Sequence, residues 1–252
     1  MSDGGRAGAL GPAVFGMLGL LALGGALPAV AYEAGPVSHG GRIVGTVRYA
    51  GTPPPRGVLE VTRDTAVCGS TAKLASDLVV GSNGGLQYVV VALRDVVTGK
   101  PFDAAPPTLD QRGCEYRPHV LLVPAGRELT ILNSDNIMHN IHTYSLHPEA
   151  PANPPLNRAQ PKFKTAMTET FHAPEFLRVG CDVHRWMQAW IVVVDHPYYA
   201  VTDASGEFTL TDVPPGKYQL QLWHETLGAV TRSVSVGPGA TATVRLEMPS
   251  PR

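Results

Sequence analysis

Cys181-Asp182-Val183-His184-Arg185-Trp186-Met187 puts a thiolate, an imidazole and a thioether within seven residues. A tight loop between two strands can turn all three toward one point, where they could hold a single ion. A second imidazole has to come from elsewhere, and Asn136-Ile137-Met138-His139-Asn140 offers one just after a strand and a turn. Two His, one Cys and a weak Met favour copper, because one soft thiolate with a thioether suits that metal. Structural zinc collects several Cys and His and has no use for Met. Haem attachment of the c type is excluded, since no C-x-x-C-H occurs. A thiol enzyme built on Cys181 and His184 would leave Met187 without a role and has no evident oxyanion site.

Taken singly, Cys181 reads as a buried structural thiol and His184 as an ordinary core or surface histidine. It is their combination with Met187 and His139 that points to a metal. His142 follows His139 by three residues, so on a strand it leaves from the opposite face. It is expected to be exposed, with an additional-ligand role as the rival reading. His119, His147, His172, His196 and His224 have no spacing that links them to the cluster and are expected to be structural. Trp186 and Trp190 suit an apolar docking face or aromatic core packing.

The elements that must position these residues are strands. Twenty-seven Gly and 23 Pro, spread among short Val-rich and Thr-rich runs, describe many turns between many strands and argue against a helical protein. Arg42–Tyr49 alternates like a half-buried strand, and Leu86–Leu93 is a continuous apolar run of the kind a sandwich core needs. Val120–Val123 and Leu129–Leu132 alternate more cleanly. Phe176–Gly180 and Trp190–Val194 flank the Cys181 loop, while 104–112 and 147–161 read as loops. Beyond Asp195 come short strands at Tyr198–Val201, Glu207–Leu210, Tyr218–Trp223, Thr231–Val236 and Thr241–Leu246. The expected fold is therefore all-β, a Greek-key sandwich followed by a smaller sandwich.

Two resemblances sharpen this. At Val123-Pro124-Ala125-Gly126, Asn133-Ser134-Asp135, His139-Asn140 and the Cys-x2-His-x2-Met of Cys181, His184 and Met187, the chain resembles the cupredoxins. The ligand spacing looks most like amicyanin. The resemblance covers Val120–Val194 well and the region before it only loosely. It implies a type 1 copper ion held by His139, Cys181, His184 and Met187, with Asn140 bracing the ligand loops. Further on, Thr202-Asp203-Ala204-Ser205-Gly206-Glu207-Phe208 and Val213-Pro214-Pro215-Gly216-Lys217-Tyr218 resemble the carboxypeptidase regulatory-like domain, which implies a transthyretin-like fold. Gly45-Thr46-Val47 and Leu93–Lys100 are similar to that domain's early strand and turn but stand far upstream. The copper module could thus be inserted within the second domain. Two sequential domains are the expected arrangement, because a cupredoxin also needs early strands: 32–70 an N-terminal segment with one strand that could pair with the C-terminal domain, 71–196 the cupredoxin, 197–252 the regulatory-like sandwich.

A basic start ending at Arg6, an apolar run Ala13–Leu27 and Ala29-Val30-Ala31 read as a signal peptide over 1–31. Export to a periplasm-like compartment follows, with an N-terminal membrane anchor as the outcome if the leader is retained. Three Cys make an odd count. Cys68 and Cys114, beside turn glycines and away from histidine, suit a structural disulfide in an oxidising compartment, although sequence alone does not fix the pairing. The net charge of -1 leaves no electrostatic footprint for nucleic acid. No catalytic set or small-molecule substrate is evident. The expected function is single-electron transfer with exported redox proteins such as a cytochrome or a dehydrogenase. The alternatives are a copper carrier or chaperone and a metal-free envelope scaffold or adhesion protein.

Overall fold

The computed structural model describes residues 31–249; the signal peptide expected over 1–31 lies almost wholly outside them. The described residues are nearly all β, as expected, with one short helix, α1 (Thr65–Cys68). None of their helices is long and apolar enough to cross a membrane.

The strands of the four larger sheets are β1 (Gly41–Ala50), β2 (Val90–Leu93), β3 (Thr108–Gln111), β4 (Tyr116–Arg117), β5 (Val120–Pro124), β6 (Glu128–Asn133), β7 (His139–Ser145) and β8 (Asn157–Gln160). They continue with β9 (Ala166–Thr170), β10 (Glu175–Gly180), β11 (Gln188–Val194), β12 (Tyr199–Val201), β13 (Glu207–Val213), β14 (Gly216–His224), β15 (Gly228–Val236) and β16 (Thr241–Pro249). Two sheets, ordered β9-β6-β3-β4 and β8-β7-β10-β11-β5, carry the histidine and cysteine positions. They close on a core that includes Leu109, Leu129, Ile131, Ile141, Val179 and Ile191. Two more sheets, β12-β2-β14-β15 and β13-β1-β16, enclose a second core around Ile43, Leu86, Tyr198, Leu220 and Leu222.

This topology corrects the preferred sequential arrangement and follows the two alternatives left open beside it, a 32–70 strand paired with the tail and an inserted module. Gly41–Ala50 pairs with β13 and β16, and Val90–Leu93 pairs with β12 and β14, so both belong to the sheets of the tail. The stretch from β3 to β11 lies in sequence between strands of those same sheets, and the boundary expected at residue 71 does not separate them. The two continuous apolar runs have a common physical cause. In β11, Ala189, Ile191 and Val193 face the first core, while Trp190, Val192 and Val194 face a third cluster with Val90 and Trp223. In β2, Val91 and Leu93 face the second core and Val90 faces that same junction. A strand buried on both faces loses its alternation. The Trp190 and Trp223 rings meet edge to face at 4.8 Å, and Trp190 Nε1–H donates to Glu225 Oε2 at 2.8 Å.

Three further strands were expected as loop or left unassigned. In Thr108–Gln111 the buried face is Leu109 and Gln111, and the Gln111 amide is held by the Leu132 carbonyl and Gln160. One apolar side chain gives little pattern to read. Asn157–Gln160 is a mostly exposed polar edge strand, and Ala166–Thr170 buries little beyond Met167. Such edges are set by pairing with a neighbour rather than by their own composition.

His224 is 1 % exposed beside this junction. Burial pushes its pKa down to about 4, with Glu225 opposing and His119 adding to the shift. The folded protein therefore binds this proton less readily than the unfolded chain. The resulting stability is fully present above pH 6.5 and is lost as pH falls toward 4. Urea unfolding of wild type should show a loss of about 2.5 kcal/mol from this group between about pH 7 and pH 4.5. In His224→Asn that component should be missing, and equal pH slopes in the two proteins would contradict the assignment.

Candidate metal centre

The centre is assembled by two hydrogen-bonded registers. In the β10–β11 hairpin Gly180 pairs with Gln188, so Cys181–Met187 is the whole connection between the two strands. On the other side of β10, His142 of β7 pairs with Gly180, which sets the start of β7 beside that connection. His139 is the first residue of β7. Before it, an Asx-type turn folds the chain back: Asn133 Oδ1 accepts the Asp135 N–H, Asn133 Nδ2 donates to the Ile137 carbonyl, and Asn136 takes φ 55°.

Within the connection, the His184 N–H points at Cys181 Sγ at 3.4 Å, and the Met187 N–H donates to the His184 carbonyl at 2.9 Å. Cys181 Sγ stands 4.0 Å from His139 Nδ1 and 3.8 Å from His184 Nδ1, and the two Nδ1 atoms are 2.9 Å apart. His139 and His184 are 0 % exposed and Cys181 is 4 % exposed. These three side chains thus aim one nitrogen or sulfur each at a common point. Met187, 1 % exposed, packs in the same core and lines, with Cys181, an open cleft of about 420 Å³ bordered by Tyr144, Arg178 and Arg185.

The outer nitrogens have partners of their own. His139 Nε2 meets Asp135 Oδ2 at 2.9 Å, and Asp135 in turn accepts N–H groups from Gly113 at 2.5 Å and Cys114 at 2.7 Å. His184 Nε2 meets Asp64 Oδ2 at 2.9 Å. Burial works against charge on His139, but the Asp135 hydrogen bond outweighs it, with help from Cys181, and its pKa rises to about 9. His184 moves the other way: burial lowers it, the positive charge of His139 adds to this, and Asp64 only partly offsets them. Burial would raise the Cys181 thiol, yet hydrogen bonds from the His139 ring and from the backbone N–H groups of Asn140, His184 and Val183 bring it below its ordinary value.

Asn140 braces the loop: its Oδ1 accepts the Asp182 N–H at 2.7 Å and its Nδ2 donates to Asp182 Oδ2 at 2.9 Å. His142 stands apart from the three converging side chains. Its Nδ1 lies 3.1 Å from Asp182 Oδ1, and its ring stacks on Tyr144 at 4.2 Å. Cys68 and Cys114 form the expected disulfide, and Cys181 is a free buried thiol. Trp186 and Trp190 are both buried, and Trp186 Nε1–H donates to the Cys114 carbonyl at 3.1 Å. The sequence reading treated Asp135 only as part of a turn and passed over Asp64. For Asp135 a signal existed, a carboxylate four residues before a candidate ligand. For Asp64, 120 residues from His184, none did.

The donor set fits a thiolate-binding metal ion. First-row metal–nitrogen and metal–sulfur bonds of about 2.0–2.3 Å leave two donors of one ion roughly 3–4 Å apart. The separations of 2.9, 3.8 and 4.0 Å match that range. Orientation of each imidazole by a carboxylate on its far nitrogen is the usual support for a metal-binding histidine.

Comparison with known proteins adds one family. Residues 187–249 match the Carboxypeptidase regulatory-like domain. The matched segment of that domain begins at Met187, ten residues before the boundary expected at 197, and takes in β11 as well as β12–β16. No curated protein sequence matches the chain. Among solved structures, a Cu(I) form of an amicyanin mutant is 22% identical over 41% of this chain and 98% of its own, with a TM-score of 0.31. A "Novel Purple Cupredoxin from Nitrosopumilus maritimus" is 20% identical over 35% and 99%, at 0.27. The copper-containing nitrite reductase of Thermus scotoductus SA-01 is 22% identical over 38% of this chain, at 0.31, and the chain spans only 24% of its length. Likenesses this far below a TM-score of 0.5 assign nothing to this chain.

A metal ion needs the neutral His139 imidazole and the Cys181 thiolate, so binding must release protons. Apparent affinity for a divalent ion should climb by about tenfold per pH unit for each proton displaced, the His139 contribution ending as pH nears 9. Titration in weakly buffered solution with a pH indicator checks this, and an affinity flat between pH 6.5 and 8.5 would contradict it.

Proposed function

We propose that the chain is an exported type 1 copper protein that carries single electrons between redox partners, with His139, Cys181, His184 and Met187 as the ligands. The observation that carries the reading is the convergence of Cys181 Sγ and two Nδ1 atoms on one point among buried side chains, with a carboxylate on each outer nitrogen. Copper, when bound there, supplies the one-electron couple between Cu(I) and Cu(II).

The chain's own part is to hold four side chains so that little moves when the electron arrives. Cys181, His184 and Met187 sit in a connection tied at both ends by strand pairing and in the middle by Asn140. Asp135 and Asp64 fix the tilt of the two rings. None of the four proposed ligands is more than 4 % exposed. That burial favours electron transfer over the copper-carrier alternative, since a carrier must hand its ion to another protein through exposed ligands. Cys181 and Met187 border the cleft with Arg178 and Arg185, and this is the face at which an exported partner such as a cytochrome or dehydrogenase could approach closest to the sulfur. No substrate is transformed on this reading.

Visible absorption and electron-spin-resonance spectra of the chain loaded with Cu(II) test the proposal. An intense thiolate-to-copper band with narrow hyperfine splitting is expected, and Cys181→Ser should abolish it. A colourless protein that still takes up Cu(I) would favour the carrier. Failure to bind copper at all would remove both readings and leave the scaffold.

A further inference from the structure

The outer nitrogen of buried His184 meets a segment that belongs to neither sheet of its own module. The chain from Leu59 to Cys68 lies across the end of the core that holds the candidate ligands. Leu59 and Val61 pack against the cluster that contains Cys181, Trp186 and Met187. At the tip of this segment Asp64, in a left-handed conformation (φ 50°), stands immediately before α1 without a side-chain hydrogen bond to it, and presents its carboxylate to His184 Nε2. His184 itself is 0 % exposed, while the Asp64 side chain is 41 % exposed. Beyond the His184 outer nitrogen, then, stands one carboxylate, and beyond that carboxylate stands water.

The segment is held at its start by the pairing of Leu59 with Lys73 and at its end by a covalent bond. Four residues after Asp64, Cys68 is bonded to Cys114, and the Cys68 N–H donates to the Asp64 carbonyl at 2.9 Å. Cys114 is also the residue whose N–H holds Asp135 behind His139, and whose carbonyl accepts the Trp186 indole N–H. A single disulfide therefore ties together the two carboxylates that back the two imidazoles.

We infer that Asp64 is a positioning residue that caps His184 and shields its outer edge from solvent, and that the Cys68–Cys114 bond is the staple that keeps this cap in place. The inference deepens the copper reading and, in its metal-binding consequence, rests on it. The cap closes the histidine side of the centre, so that the cleft beside Cys181 and Met187 is left as the open approach.

Two readouts separate the cap from the metal. In the metal-free full chain, diethyl pyrocarbonate labelling followed by mass spectrometry should modify His147, whose side chain is 73% exposed, and leave His184 protected. Asp64→Ala should raise labelling of His184 toward that of His147, and so should the Cys68→Ser/Cys114→Ser pair. Asp64→Asn, which keeps an acceptor oxygen, should stay protected. In the copper-loaded chain, transfer of the ion to a chelator should be about tenfold faster in Asp64→Ala than in wild type. Labelling of wild-type His184 at the rate of His147 would overturn the cap without recourse to any variant. Unchanged protection in a folded Asp64→Ala protein would do the same, and equal rates of copper release would overturn the positioning role. If wild type takes up no copper, the electron-transfer reading fails while the labelling result still decides the cap.

Discussion

The pairing of β7 on β10, with His142 opposite Gly180, is the constraint on which the centre depends. It brings two segments 42 residues apart in the chain to within 4.0 Å of each other at Cys181 Sγ and His139 Nδ1. A slip of one residue would turn every side chain of β7 to the other face. His139 would then leave the core and His142 would enter it. The register is held by what lies on either side: Ile141 is fully buried in the core, while Asn140 ties the loop after Gly180 through Asp182. Packing sets the face, and one amide side chain sets the distance along it.

The second constraint is that the strand leading out of the centre is shared. β11 carries one set of residues into the core of the histidine module and the other into the junction with the regulatory-like sheets. It also lies wholly within the segment that matches the family model, which begins one residue earlier at Met187. The loop Cys181–Met187 is thus anchored on a strand clamped from both faces, with the Trp190 indole held by Glu225 across the junction. This gives the regulatory-like sheets a mechanical part in the centre: they stiffen one of the two strands from which its ligands hang.

Much of this was legible in the residues, and the reasons for the exceptions are specific. The loop ligands could be read because Cys, His and Met fall on one short connection, so that sequence distance and spatial distance agree. Arg42–Tyr49 could be read as a strand from its alternation, with the tail as one open partner and no register, since pairing with β16 joins residues nearly 200 positions apart. Val90–Leu93 was read as a core strand and assigned to the wrong core, because an all-apolar run says that both faces are covered without saying by what. Polar edge strands such as Asn157–Gln160 carry no pattern, since their backbone pairing is supplied by a neighbour. Asp64 is the clearest case: nothing within its own neighbourhood marks it, and only the fold brings it to His184.

The measurement that tests the central claim most directly is X-ray absorption at the copper edge of the loaded full chain, beside Cys181→Ser. The account predicts one short thiolate sulfur and two imidazole nitrogens about copper in the wild-type chain, with the sulfur shell absent from the variant. A shell of nitrogen and oxygen alone in the wild-type protein would show that the three converging side chains do not share one ion, and would contradict it.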